Sequence, residues 1–216
     1  MNTTIYHKQS GLSAGEAGFT LIEMLVSIGL FAIVMVVCVG ALLSLVGANK
    51  KAQALESVMN NLNISLDDMT RSIREGSAYN CGAVGVPLLT GGNNADCSTG
   101  NTTFSFAPFG SNTADASKRT VYKYVTSAPG SPCVTTSGVG GCITRSQNAG
   151  VYSSITAPEV SITDMQFYVV GSASGGADIT QPRVIMTVEG RAGGGMVKDS
   201  TTFHLQATAL QRVLDL

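Results

Sequence analysis

The sequence has no tryptophan, only two histidines and few charged side chains. Lysine and arginine total 13, aspartate and glutamate total 14, and the formal net charge is −1. Binding to nucleic-acid phosphates needs clustered lysine and arginine, but the adjacent basic pairs are confined to Lys50–Lys51 and Lys118–Arg119. The composition therefore argues against phosphate-driven nucleic-acid binding, and both pairs are best interpreted as solvated surface.

Recognisable catalytic motifs are also lacking. His7 lies near the N-terminus, and His204 lies in a predicted strand where a structural histidine is the default, so a Ser-His-Asp set is not indicated. The sequence contains neither a phosphate-binding glycine loop nor an HExxH zinc motif. Four acidic residues lack the spacing of a calcium loop, and solvated surface is the better interpretation of Asp67, Asp68, Asp96 and Asp164. We expect no enzyme, no cofactor and no metal.

The five cysteines divide into two groups. Cys38 lies within an apolar run, whereas the other four lie in polar, glycine-rich sequence: Cys81, Cys97, Cys133 and Cys142. Four cysteines allow three pairings, and the sequence alone does not choose among them. Pairing each cysteine with its neighbour closes the shortest loops, whereas a zinc site would want a Cys-x-x-Cys spacing that these cysteines lack. Disulfides are expected if this part of the chain is exported.

The longest uncharged stretch runs from Met24 to Ala48 and ends at Lys50 and Lys51. As a helix it spans roughly 37 Å, enough to cross a hydrocarbon core of about 30 Å. A removed secretory signal has a shorter apolar core followed directly by a small-residue cleavage site, so an uncleaved membrane anchor fits better. Two indications of orientation conflict: Lys50 and Lys51 favour a cytoplasmic C-terminal side, and the four cysteines favour an oxidising compartment.

The segment Gly18-Phe19-Thr20-Leu21-Ile22-Glu23 places a carboxylate at the edge of this apolar run. Such a carboxylate is costly and usually marks function, although it can also lie at the headgroup boundary. If the chain is cut after Gly18, Phe19 carries a new terminal amine about one helical turn from Glu23, and a neighbouring subunit can also supply an amine. In a low dielectric the pair attracts strongly, while either partner alone is penalised. The motif would then create an assembly contact that exists only after cleavage.

Gly-Phe-Thr-Leu-Ile-Glu followed by the apolar run resembles the cleavage signal of type IV prepilins and pseudopilins. The resemblance implies cleavage after Gly18 by a prepilin peptidase, N-methylation of Phe19 and a role for Glu23 in filament assembly. It also implies three kinds of partner: other pilins or pseudopilins, the peptidase, and an inner-membrane assembly platform. The implied location is the inner membrane, crossed once, with the head on the extracytoplasmic side before incorporation into a pilus or pseudopilus.

Beyond Lys51 the sequence predicts that the helix continues. Apolar residues recur at alternating intervals of four and three, which is typical of one helical stripe: Leu55, Met59, Leu62, Leu66, Met69 and Ile73. Gly76 is a plausible end, so one helix is expected from about Phe19 to Glu75. The stripe would serve either a free coiled coil or packing on the chain's own sheet, and the second is favoured.

After residue 77 the pattern changes to one typical of strands, with period-2 alternation in several segments. The predicted strands are Thr102–Ala107, Arg119–Thr126, Cys142–Ser146, Val160–Gly171, Arg183–Arg191 and Thr201–Arg212. The glycines at 171–176 and 193–195 are predicted turns of a three-stranded antiparallel meander. The Ser/Gly/Asn-rich stretches 90–101 and 127–141 are predicted loops.

The predicted fold class is α+β and pilin-like, with a long N-terminal helix packed on an antiparallel sheet. Its parts are a leader peptide (1–18), a transmembrane helix (19–49), an amphipathic helix (50–76) and a β-rich head with disulfide-stapled loops (77–216). Segments 60–76, 162–170 and 203–208 loosely resemble J-type minor pseudopilins, and the first of these also resembles W-type minor pilins. A head of six predicted strands with long loops, larger than most major pilins need, favours a minor subunit. The alternatives are a major pilin and a monomeric membrane-anchored adhesin or binding protein.

Overall fold

The computed structural model describes residues 18–82, 95–113, 115–136, 138–172, 180–192 and 200–212. Among these residues, one long helix, α1 (Leu21–Glu75), precedes nine strands and a short 3₁₀ helix at Ala116–Lys118. The strands are β1 (Ser77–Cys81), β2 (Cys97–Asn101), β3 (Thr103–Ala107), β4 (Thr120–Thr126), β5 (Gly141–Gln147), β6 (Ser153–Ser154), β7 (Ser161–Val170), β8 (Arg183–Ala192) and β9 (Thr201–Leu210). Apart from Gly18, the predicted leader lies outside the described residues.

The chain divides into two compact units, Met1–Gly47 and Ala48–Leu216. The described residues of the first unit are the start of α1 and the three residues before it. The second unit contains the remainder of α1 and the sheet. One continuous helix therefore covers the segments that the sequence divided into transmembrane and amphipathic parts.

The apolar stripe of α1 faces the sheet within the second unit. Its buried residues are Val58, Leu62, Ser65, Leu66, Met69 and Ile73, while Leu55 and Met59 are partly buried against the same core. Because a helix repeats every 3.6 residues, positions three and four apart share one face, and burying that face stabilises the helix. The expectation that the stripe packs on the chain's own sheet is confirmed.

Within the described residues the strands form a single sheet whose ladders are antiparallel. The strand order is β1-β3-β4-β5-β7-β8-β9, with β2 beside β7 and β6 beside β5. The predicted meander is confirmed, since β7 pairs with β8 and β8 with β9. Most of its two predicted turns, 173–176 and 193–195, lies outside the described residues. The α+β architecture predicted from the sequence is the one observed.

Aromatic side chains from β1, β3, β4 and β7 pack together in the core. The rings of Tyr79, Phe104 and Phe167 are fully buried, and the Phe104 centroid lies 5.6 Å from each of the other two. Phe106 and Tyr122 stack at 6.0 Å. Successive residues of a strand point to opposite faces, so Tyr122 is buried while its neighbour Lys123 is exposed. The period-2 alternation predicted for the strands is thus observed at the start of β4.

Three strands were not predicted: β1, β2 and β6. The stretch 90–101 was predicted as a loop, but its last residues form β2, which pairs with β7, and 90–94 lie outside the described residues. The prediction was wrong because Cys97–Asn101 contains no alternating apolar residues. This strand depends on a partner strand and a covalent link instead of on its own burial.

The end of α1 is closed by close packing and by polar contacts. A Cβ added at Gly76 would overlap the ring of Phe106, so only glycine lets the chain leave the helix this close to the core. The Tyr79 hydroxyl donates to the carbonyl oxygen of Ile73 at 2.7 Å, which satisfies a carbonyl in the last helical turn. Burial raises the pKa of Tyr79, which keeps the hydroxyl protonated as a donor.

Candidate functional site

Gly18, Phe19 and Thr20 precede α1 and are not helical. The Thr20 carbonyl oxygen accepts hydrogen bonds from the backbone amides of Glu23 and Met24 at 3.1 and 3.2 Å. Its Oγ1 atom also accepts from the Glu23 amide, at 3.3 Å. Thr20 thus acts as the N-cap, since its carbonyl and side-chain oxygens together accept from the Glu23 amide, which has no helical residue four positions earlier to bond. The bond predicted for cleavage lies outside the helix.

The structure places the three residues predicted for processing and assembly together at the start of α1. Phe19 is 78% exposed, and Glu23 is also exposed. In the described part of the chain, the Glu23 carboxylate has no hydrogen-bond or ion-pair partner. A carboxylate without a partner is costly beside hydrocarbon. The arrangement leaves this side chain available to an amine of the same chain or of a neighbour.

The first unit presents an apolar surface on all sides of its helix. The large apolar side chains from Leu21 to Val46 are exposed there. By length and composition α1 can cross a membrane, and none of its most apolar stretch is buried within the chain. Exposed apolar area of this extent has to be covered by lipid or by other helices.

Polar contacts fasten the second part of α1 to the head. The side-chain oxygen of Asn61 accepts a hydrogen bond from the backbone amide of Ala157 at 3.0 Å. Asp68 and Arg145 form an ion pair at 2.9 Å, with the Asp68 side chain 53% exposed. The exposed pair contributes little, because solvent screens its charges. The hydrogen bond between Asn61 and Ala157 is partly buried and therefore less exposed to solvent. It holds α1 against the segment between β6 and β7.

Two disulfides staple loops of the head. Cys81 is bonded to Cys97 and Cys133 to Cys142, with Cα separations of 5.8 and 5.7 Å, inside the usual range for disulfides. Cys38 is exposed and free. These are the pairings that close the shortest loops. The first joins β1 to β2, and the second ties the preceding loop to β5.

Three of the four acidic residues considered as calcium ligands have protein partners of their own: Asp68, which pairs with Arg145, and Asp96 and Asp164. Asp96 accepts from the backbone amides of Gly171 and Ser172 at 3.0 and 2.9 Å. Burial raises the pKa of Asp96, but its hydrogen bonds outweigh that effect and hold the pKa below its usual value. Asp164 accepts from the side-chain amide of Gln166 at 3.0 Å. Across the described ranges, no group of three or more His, Cys, Asp or Glu side chains is placed to hold a metal ion.

Two surface features of the second unit place acidic and basic side chains side by side. His204 lies 3.2 Å from Glu189 across β8 and β9, and both side chains are more than half exposed. An open groove of about 350 Å³ lies at the end of α1, lined by Asp67, Thr70, Arg71, Arg74, Glu75 and Arg212. Exposed contacts between acidic and basic side chains contribute little to stability.

Thr20 is the residue of this site that the sequence interpretation missed. The segment Thr20-Leu21-Ile22-Glu23 fits the S/T-x-x-E pattern of a capping box directly before an apolar run. This pattern in the sequence indicates where the helix begins. It places Leu21 as the first helical position, two residues after the predicted start at Phe19.

Comparison with known proteins bears on this same segment. A family model described as the prokaryotic N-terminal methylation motif matches residues 13–39. The match covers Gly18, Phe19, Thr20 and Glu23 and the first part of α1. No curated protein and no solved structure matches the chain. The chain carries a prepilin-type N-terminal methylation motif at the start of a membrane-length apolar helix, consistent with a membrane-anchored type IV pilin or pseudopilin, a class of structural subunits that a prepilin peptidase processes.

Proposed function

We propose that the chain is a minor pilin or minor pseudopilin, a structural subunit of a type IV pilus or a type II secretion filament. The observation that carries the proposal is the methylation motif at 13–39, which coincides with the N-cap of an apolar helix whose side chains are exposed. Lipid covers that surface in the precursor. Other pilin helices cover it in the filament, so one surface serves both states.

Processing removes residues 1–18 and leaves Phe19 as the N-terminus, which is then methylated. The non-helical conformation of Gly18, Phe19 and Thr20 supports this step, because a peptidase needs access to the backbone it cuts. The head lies on the extracytoplasmic side of the inner membrane. Its two disulfides support that side, and they outweigh the weak opposite indication of Lys50 and Lys51.

Glu23 then pairs with a terminal amine, either that of Phe19 on its own chain or that of a neighbouring subunit. Support comes from its exposed carboxylate, which is without a partner among the described residues. The two charges offset each other's cost in an apolar environment. The partners in this scheme are the prepilin peptidase, the inner-membrane platform and other pilins or pseudopilins.

A minor role is supported by the size and anchoring of the head. The second unit places nine strands on one helix and staples two excursions with disulfides. Such a head is larger than a repeating subunit needs. A subunit at or near the filament tip, where few neighbours constrain its size, accommodates it better.

The experiment is mass spectrometry of the N-terminus of the chain isolated from membranes. A chain that begins with N-methyl-Phe19 is the expected result. Gly18→Val is the matched control, because a side chain at this position obstructs the approach of the peptidase, and this variant should retain its leader. A wild-type chain that still begins at Met1 in cells with an active peptidase would contradict the proposal and favour a monomeric membrane-anchored binding protein.

A further inference from the structure

The hydrogen bonds at the start of α1 show which backbone carbonyl oxygens accept bonds from amides of the helix. In a helix, each amide donates to the carbonyl four residues earlier. If α1 began two residues earlier, the Ile22 amide would bond the Gly18 carbonyl and the Glu23 amide would bond the Phe19 carbonyl. In the structure, the Glu23 amide is bonded to Thr20 instead.

The Gly18 carbonyl is the group that the proposed cleavage attacks. Hydrolysis breaks the bond between the Gly18 carbonyl carbon and the Phe19 nitrogen. Water supplies a hydroxyl group to the new carboxyl terminus and a proton to the new amine. A carbonyl that accepts an intrahelical hydrogen bond is enclosed by the helix, so a peptidase cannot bind it as extended backbone. The bond has to stay out of the helix to be cut.

The composition of the residues before the cut does not by itself keep the Gly18–Phe19 bond out of the helix. Ala14, Glu16 and Ala17 are good helix formers, while Gly15 and Gly18 are poor ones. The apolar residues after Thr20 form a strong helix, and helices elongate readily once nucleated. A defined stop is therefore needed between this helix and the scissile bond, and Thr20 is placed there.

We propose that Thr20 is a positioning residue for prepilin cleavage. As the N-cap, Thr20 makes the helix begin at Leu21, so that Gly18 and Phe19 stay outside it and the peptide bond between them is presented as extended backbone. This inference rests on the proposed function, since it concerns the same processing step. Removing the cap does not change the chemistry of the peptidase. It lowers the fraction of precursor in the competent conformation, which raises the apparent KM and leaves kcat unchanged.

The test is the cleavage kinetics of full-length precursors by a purified prepilin peptidase in detergent. Thr20→Val keeps the shape of the side chain and removes the capping oxygen, and we expect its KM to rise by up to about fivefold. Thr20→Ser and Thr20→Asn both retain an N-capping oxygen and are expected to cleave like the wild type. Hydrogen exchange of the precursors gives a second readout, because helix extension in Thr20→Val should newly protect the Ile22 amide.

Each outcome bears on a different statement. Wild-type kinetics for Thr20→Val would overturn the role of the cap while leaving the proposed function intact. Slow cleavage of both Thr20→Val and Thr20→Asn, with only Thr20→Ser active, would also overturn it, because the peptidase would then be reading the hydroxyl group itself. A wild-type precursor that the peptidase leaves uncut would overturn the proposed function and this inference together.

Discussion

The hydroxyl group of Ser65 lies 2.9 Å from the carbonyl oxygen of Ile155, ninety residues later in the chain. The same hydroxyl is 3.0 Å from the carbonyl oxygen of Asn61, one turn earlier in α1. A hydroxyl has one proton and donates to one of the two at a time. Ser65 is buried within the apolar stripe, so it is a polar link between helix and head inside an otherwise apolar interface.

Replacing Ser65 by alanine should lower the free energy of unfolding by about 1 kcal/mol, because the Ile155 carbonyl loses its side-chain donor. For a chain of this size that corresponds to a fall in Tm of roughly 2–4 °C. Thermal unfolding of the full chain in detergent measures the change. Ser57→Ala is the control, since Ser57 lies on the exposed face of the same helix. Equal Tm values for both variants would show that the Ser65 contact adds nothing.

Removing a buried apolar side chain from the same interface should lower the free energy of unfolding more than removing the Ser65 hydroxyl. Ile73 is fully buried, while Ile64 is 72% exposed on the same helix. Ile73→Ala should cost about 2–5 kcal/mol, because it removes buried methyl groups and leaves a cavity. Ile64→Ala should change stability by no more than about 0.5 kcal/mol. Denaturant unfolding of the two variants compares them directly, and a cost at Ile64 that matches the cost at Ile73 would contradict the observed packing of α1.

The difference between these two isoleucines was predictable from the sequence. Ile73 belongs to the stripe of apolar residues at intervals of three and four, and Ile64 does not. Periodicity reports which face of a helix is buried. It does not report what covers that face, so the contact of Ser65 with Ile155 had no signal, because it depends on where the sheet places a segment ninety residues away.

The strands also divide into those that the sequence pattern predicts and those that it does not. β7, β8 and β9 are long and contain many apolar residues, and the sequence predicted them closely. β1, which reads Ser-Ala-Tyr-Asn-Cys, and β2, which reads Cys-Ser-Thr-Gly-Asn, carry little pattern of their own. They are held by β3 and β7 and by the bond between Cys81 and Cys97. Pairing energy and a covalent link leave no periodic signal in the sequence.

The candidate site was found through its motif. Glu23 stood out because a carboxylate beside an apolar run is expensive, whereas Gly18 and Phe19 were identified through the resemblance to the prepilin cleavage signal. Thr20 was passed over because it is neither charged nor apolar, and its role becomes visible through the hydrogen bond to Glu23. Local hydrogen-bonding patterns of this kind are readable from sequence when the S/T-x-x-E spacing is sought.

The disulfides predict a defined pattern of thiol reactivity. Peptide mapping under non-reducing conditions should find Cys81 linked to Cys97 and Cys133 linked to Cys142. An alkylating reagent added after denaturation should modify Cys38 alone. A reduced sample, in which all five cysteines are modified, is the control. Four unlinked cysteines in the head would indicate a reducing compartment and reverse the proposed orientation, in line with the charges of Lys50 and Lys51.

Glu23→Gln separates processing from assembly. The amide side chain keeps the shape of the glutamate but removes the Coulomb attraction that offsets the desolvation of a terminal amine. Membrane insertion should be unchanged or eased, because one charge at the membrane edge disappears. Cleavage after Gly18 should also continue, since the substitution leaves in place the backbone amide that Thr20 caps, and the cut bond lies outside the helix.

Assembly should weaken, because the amine of Phe19 or of a neighbour then has no carboxylate to pair with in an apolar environment. The measurement is recovery of co-expressed partner pilins with the processed chain from detergent, with wild type and Glu23→Gln compared at equal processed levels. Glu56→Gln is the matched control, because Glu56 is an exposed glutamate of the same helix beyond its apolar stretch. Recovery should fall for Glu23→Gln and stay unchanged for Glu56→Gln. Equal recovery from all three proteins would assign Glu23 to the headgroup boundary, and the assembly role would then have no support in the charge of this residue.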